Sequence, residues 1–264
     1  MERLARSSGL VKLIGFPATL VHGDTTVVDR WLWLKARLPE TRNGESLIDI
    51  GCGTGAFTIG AALRGYSSLG LSWDERNQNM AASRAKLCKA EGARFEIQDL
   101  RVLDQRQDLK ERFDYAICFE NIEHILNDRK LLEDVARCLK PGGRLLLTAP
   151  NYHYRPITPN EKGPFSKTED GWHVRRGYSV GMLEELCEIA GLRIEKQSYC
   201  SGFLSQKIAY VMRWLTRVHP LLAWAVVLPL RALPPLFDRP VTFLLGWPYF
   251  SICIEAYKPR FGRS

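Results

Sequence analysis

No two of the seven cysteines are spaced C-x-x-C, and their number is odd. That pattern gives no thiolate zinc motif and argues for reduced thiols in a cytoplasmic compartment. No metal site is expected. A membrane-spanning run is lacking as well. Within residues 203–248 the longest charge-free stretch, between Arg217 and Arg231, has 13 residues and contains Pro220 and Pro229, against the roughly 20 needed to cross a bilayer. Arg3, Arg6 and Lys12 precede apolar residues, but Lys12, Gly15 and Pro17 break the run, so no export signal is expected. Acids are scarce in residues 203–248, where Asp238 stands alone against Lys207, Arg213, Arg217, Arg231 and Arg239.

What the chain does contain is an ordinary globular mixture. Its 264 residues, 45% hydrophobic and 25% charged, can build one large domain with elaborations. The net charge of +8 is compatible with nucleic acid or an anionic membrane surface as a partner, and equally with a basic soluble enzyme.

The apolar run Ser46–Ile50 reads as a buried strand that leads into Gly51-Cys52-Gly53-Thr54-Gly55. Three glycines in five residues let the backbone turn sharply and approach a ligand. A helix from Ala56 would then aim its N-terminal N–H groups at a carboxylate or phosphate. Gly51, Gly53 and Ala56 also satisfy the dinucleotide fingerprint, which leaves a nicotinamide enzyme as an alternative at this point.

Beyond the turn the pattern alternates. Helix 56–64, strand 67–72, helix 75–91, strand 94–98, strand 114–119, helix 128–138 and strand 143–149 predict a parallel sheet with helices on both faces. Residues 1–45 form a helical preface: Trp31, Leu32, Leu34 and Leu38 mark an amphipathic helix capped by Asp24 or Thr25 and ended by Pro39. Residues 150–177, rich in proline and polar groups, form a long loop of the kind that is functional in compact domains. Helix 179–190, strand 192–199 and a last strand 249–256 follow, with an apolar, basic insert at 203–248.

Asp49 in the first strand, Asp99 after Phe95-Glu96-Ile97-Gln98, the segment Phe113–His124 and Leu139-Lys140-Pro141-Gly142-Gly143 occur in one order at regular spacing. Together they resemble the class I S-adenosylmethionine-dependent methyltransferases of small-molecule type, closely over 46–150 and loosely to about 198. The resemblance implies an α/β, Rossmann-like doubly wound sheet, mostly parallel with an antiparallel last strand, plus the helical insert before that strand. It implies a methyltransferase domain at 46–264, with 151–177 as active-site loop.

It also implies S-adenosyl-L-methionine as cofactor, held by Asp49, Gly51, Cys52, Gly53 and Gly55 at the amino-acid end and by Asp99 and Leu100 at the adenine. Phe119 and Glu120 would line the cofactor. The family's ribose-binding acid is replaced here by Ser72, with Gln78 as a substitute and Asp74 as either a ribose ligand or a helix cap. His124 and His173 are the candidate general bases, with His22 a third. The acceptor expected is a hydrophobic or lipid-linked small molecule (quinone, isoprenoid or glycan), met in the cytoplasm or on the inner face of a membrane. Phe119-Glu120-Asn121-Ile122 lacks the Asn/Asp-Pro-Pro-Tyr/Phe motif of amino-group methyltransferases, which speaks against nucleic acid. A protein methyltransferase and a non-catalytic cofactor binder remain alternatives.

Overall fold

A computed structural model describes residues 9–21 and 25–260. Seven strands form one sheet: β1 (Ser46–Ile50), β2 (Ser67–Ser72), β3 (Ala93–Ile97), β4 (Phe113–Phe119), β5 (Leu139–Pro150), β6 (Arg193–Cys200) and β7 (Ser251–Tyr257). Their spatial order is β3-β2-β1-β4-β5-β7-β6. β1 pairs in parallel with β2 and β4, and β7 runs antiparallel to both β5 and β6. The order reverses between β1 and β4, so a crevice opens there beyond the carboxyl ends of the strands, where ligands of open α/β sheets bind.

The helices are α1 (Pro17–Val21), α2 (Val27–Lys35), α3 (Ala56–Ala62), α4 (Glu75–Leu87), α5 (Asp128–Cys138), α6 (Val180–Ile189), α7 (Phe203–Val218), α8 (Pro220–Leu230) and α9 (Pro234–Leu244). Side-chain caps fix the starts of three of them. Asp74 accepts from the N–H groups of Arg76 and Asn77, Asn127 from Lys130, and Ser179 from Met182. α5 buries Leu131, Leu132, Val135 and Ala136 against the sheet. These join Ile48, Ile50, Leu145 and Leu147 in the larger core.

Several boundaries differ from expectation. α4 stops at Leu87, before residue 91. β5 begins at Leu139, because the Pro141-Gly142-Gly143 turn joins the pairing with the residues after β7: the Gly142 N–H donates to Lys258 O at 2.8 Å and the Lys258 N–H to Gly143 O at 2.9 Å. In the preface, Thr26 rather than Thr25 precedes α2 and makes no side-chain cap bond. Asp24 and His22 lie outside the described residues. α2 ends at Lys35, four residues before Pro39. Leu32 faces outward, whereas Trp33 is buried and donates from Nε1 to Ser198 Oγ at 2.9 Å. The preface is thereby fastened to β6.

Candidate functional site

At the end of β1, Gly51, Gly53 and Gly55 have φ of +78°, +51° and +79°, a region that disfavours a side chain. Space is a second constraint. A Cβ on Gly51 would collide with Asn121, and one on Gly55 would lie 2.7 Å from Ala81 and from the Phe95 ring. The turn therefore packs against both β3 and the segment after β4.

The N–H groups of this turn divide into two sets. Those of Gly51 and Cys52 both donate to Leu71 O, at 3.0 and 2.9 Å, so they are committed to β2 and not aimed at a ligand. They are expected to hold the donor carboxylate; here both are paired with the end of β2. Among the described residues, no backbone acceptor pairs with the N–H groups of Gly53 or Thr54. Cys52 is buried with its Sγ 3.7 Å from Gln78 Oε1, and burial pushes its thiol far up. It is a packed, uncharged side chain.

Asp49 is buried and accepts from Thr58 Oγ1 at 2.6 Å. Burial raises its pKa to about 7, against the opposing pull of the Thr58 hydrogen bonds. A cation beside it would restore its charge.

The crevice beyond β1 and β2 holds a cavity of about 510 Å³, lined by Gly51, Gly53, Ser72, Asp99, Leu100 and Asn121 among others. Of the expected cofactor residues, Asp49, Cys52, Gly55 and Phe119 are not among those that line it. Phe119 sits in the core, edge-on to Phe57 at 4.9 Å and to Trp33 at 5.8 Å. Glu120, one residue beyond the end of β4 and with φ of +47°, does line the cavity.

At the ribose end, Ser72 lines the cavity and its Oγ accepts from the Asp74 N–H at 3.3 Å. Asp74 caps α4 while also lining the cavity, as does Asn77. Gln78 is spent elsewhere: its Nε2 donates to Glu96 O at 2.5 Å and to Gly70 O at 3.3 Å. It is no ribose ligand in this arrangement.

Asp99 is gripped by Arg101, whose Nε and Nη2 donate at 2.9 and 2.6 Å, and this holds its carboxyl below the usual range. Arg101 also reaches Glu169 of the long loop at 3.4 Å. That loop, with Gly171 beside Trp73, closes one side of the cavity.

A second cavity of about 300 Å³ adjoins the first and shares Glu120 and His124 with it. Its walls come from four sources: Arg30 on α2, Glu123 and His124 after β4, the loop residues Thr158, Glu161, Phe165, Trp172 and His173, and Arg213 of α7 with Phe250. Sequence reasoning missed Arg30, Glu161 and Arg213, since nothing in their spacing announces that they converge. Two ion pairs balance the site: Arg30 with Glu120 at 3.4 Å, and Arg213 with Glu161.

The structure brings His124 and His173 together, rings edge-to-face with centroids 4.6 Å apart. Burial lowers both pKa values, that of His173 to about 4 with help from His124 and Arg213. Glu123 behaves oppositely. Burial, and then the neighbouring Glu120, hold its carboxyl well above the usual range. Its Oε2 and His124 Nδ1 are buried and, among the described residues, without a hydrogen-bond partner. Glu123, His124 and His173 each offer one ligand atom, all within 4.8 Å of one another. No metal was expected from the cysteine pattern, which is silent about a carboxylate–imidazole donor set.

Comparison with known proteins agrees with this architecture. A 109-residue segment is 30% identical to the ubiquinone biosynthesis O-methyltransferase of Dechloromonas aromatica, covering 41% of this chain and 45% of that protein. The chain spans about half the length of the curated relatives it matches. Among solved structures, the cyclase SpnF aligns with a TM-score of 0.60 at 18% identity, over 88% of this chain and 82% of that one. Geranyl diphosphate C-methyltransferase from Streptomyces coelicolor aligns at 0.56 and 17%, over 87% and 76%. These two likenesses show the fold. The family model described as "Methyltransferase domain" matches residues 28–197, and the chain belongs to that S-adenosylmethionine-dependent methyltransferase family.

Proposed function

We propose that this chain transfers the methyl group of S-adenosyl-L-methionine to a hydroxyl of a hydrophobic or lipid-linked small molecule, of quinone, isoprenoid or glycan type, at the cytoplasmic face of a membrane. The observation that carries this reading is the pair of adjoining cavities with Glu120 and His124 on their common wall. The donor fills the larger one, with its amino-acid end toward Gly53 and its adenine toward Asp99 and Leu100. Its positive end lies over Asp49, which becomes ionised as the cation arrives.

The acceptor takes the smaller cavity. Its ring lies among Phe165, Trp172 and Phe250, and its hydroxyl points at the histidine pair. Methyl transfer is an in-line displacement, so aligning the two substrates supplies much of the acceleration. A neutral imidazole then accepts the hydroxyl proton, a contribution of roughly 10²–10⁴-fold. Both histidines are neutral at pH 7 because burial lowers their pKa values.

The relatives named as ubiquinone biosynthesis O-methyltransferases favour a quinone-type acceptor. Incubating the protein with methyl-labelled donor and fractionated cell extract tests the assignment. Label is expected in the lipid-soluble or glycolipid fraction, and label confined to RNA or protein would overturn it.

A second reading of the histidine pair is favoured by the buried, unpartnered oxygen of Glu123. A divalent cation held by Glu123, His124 and His173 would relieve the repulsion between Glu123 and Glu120, and imidazole with carboxylate suits a first-row transition ion. Calorimetric titration with Zn²⁺ separates the readings. One-to-one binding that is lost in His173→Ala supports the cation, and its absence leaves the imidazole as base.

A further inference from the structure

α9 is amphipathic in the wrong direction for a helix of a soluble protein. The side chains it buries are Pro234, Asp238 and Thr242, one helical turn apart. Around the opposite face run Leu236, Phe237, Phe243 and Leu244, exposed by 70%, 50%, 84% and 80%. The inward face serves the fold, for Asp238 accepts the Gly202 and Leu204 N–H groups at 2.7 Å each and so caps α7. Among the described residues, nothing covers the outward face.

Charge specifies what would. Residues 203–248 hold five basic side chains and the single acid Asp238. Arg213 and Arg231 turn inward to pair with Glu161 and Asp29. Lys207, Arg217 and Arg239 stay exposed, and Asp238 is buried. The insert therefore shows the outside three cations and no anion. No helix of the described residues is long and apolar enough to cross a membrane. An apolar stripe with Arg239 on the same helix, in an insert whose exposed charges are all positive and whose helix is too short to span, suits the interfacial plane of an anionic lipid surface.

We infer that the outward face of α9 is a docking surface for anionic phospholipid, with Leu236, Phe237, Phe243 and Leu244 entering the acyl boundary and Arg239 meeting the headgroups. This rests on the proposed function only in its benefit: the same insert contributes Arg213 to the smaller cavity, so docking brings that cavity to a lipid-dissolved acceptor.

Co-sedimentation with phosphatidylcholine vesicles, with and without phosphatidylglycerol, tests the surface without any methyl donor or acceptor, so it can fail while methyl transfer stands. Binding is expected to be at least about tenfold tighter to the anionic vesicles and to weaken with salt. The double variant Phe243→Asp, Leu244→Asp should lose it while retaining donor affinity and melting temperature. Arg239→Ala should weaken only the anionic preference. Equal binding to both vesicle types, no binding, or unchanged binding by the double variant would overturn the inference. So would a wild-type dimer that the double variant dissociates, which would assign the face to a second copy.

Discussion

Asp49 is the residue whose chemistry is most constrained. A carboxyl inside a buried strand, hydrogen-bonded by Thr58, is held near pKa 7 by burial. A cation bound beside it would favour the ionised state. Asp49→Asn should weaken donor binding by about 10- to 100-fold, the scale of roughly 1.5–3 kcal/mol for a hydrogen bond to a charged group, as read by calorimetry. In the parent protein donor affinity should fall as pH drops below about 7, with proton release on binding. That pH dependence should vanish in the Asn variant.

The histidines carry a separate prediction. His124→Ala or His173→Ala should leave donor affinity intact and lower kcat by about 10²–10⁴-fold. Because burial depresses both pKa values, the acid limb of the kcat profile should fall below the ordinary histidine range. A limb near the ordinary value of about 6.5 would remove the buried pair from the proton transfer.

Between elements, two ties hold the wall of the smaller cavity and the insert behind it. Arg213 of α7 pairs with Glu161 of the long loop, whose Oε2 in turn accepts the Ile157 N–H at 2.7 Å. Glu161→Gln should raise KM for the acceptor several-fold, on the scale of about 1 kcal/mol for an ion pair that is still partly solvated, and leave donor affinity unchanged. The second tie is the capping of α7 by Asp238. Asp238→Ala should cost about 1–2 kcal/mol, seen as a lower melting temperature, and should loosen the insert before the sheet.

Elements also show how much is legible before folding. Every strand of the sheet except β5 starts within about two residues of its expected position, because apolar runs mark the strands and glycine or proline their turns. The misjudged side chains share one cause. Leu32 faces solvent and Phe119 the core although both are apolar, so hydrophobicity could not assign either a face. Packing against the neighbouring elements decided it.

For the molecule as a whole, the buried acid and the buried histidines act on stability in opposite senses. Asp49 has a folded pKa above its unfolded value, so its contribution is present below about pH 4 and lost as pH rises toward 7. His173 has a folded pKa near 4, below its unfolded value of about 6.5, so its contribution appears as pH rises through that interval. The two contributions oppose each other between about pH 4 and 7. The two are separable only by variants: relative to the parent, Asp49→Asn should gain stability steadily from about pH 4 to 7, and His173→Gln should lose it. Melting curves across that range check both signs.

The alternation of strands and helices and the glycine bend are already written in the order of the residues, because each depends on contacts within a strand–turn–helix unit and so on neighbours along the chain, and the motif order carries the resemblance that names the donor. The same order discloses an apolar, acid-poor insert. Three-dimensional packing settles the rest: which N–H groups at the bend remain for a ligand, that Arg101 grips Asp99, and that Arg30, Glu161 and Arg213 wall one cavity with His124 and His173. Those groups come from well-separated parts of the chain. Only the packing of preface, loop and insert over the strand ends sets the distances between them, and electrostatics and proton transfer depend on those distances.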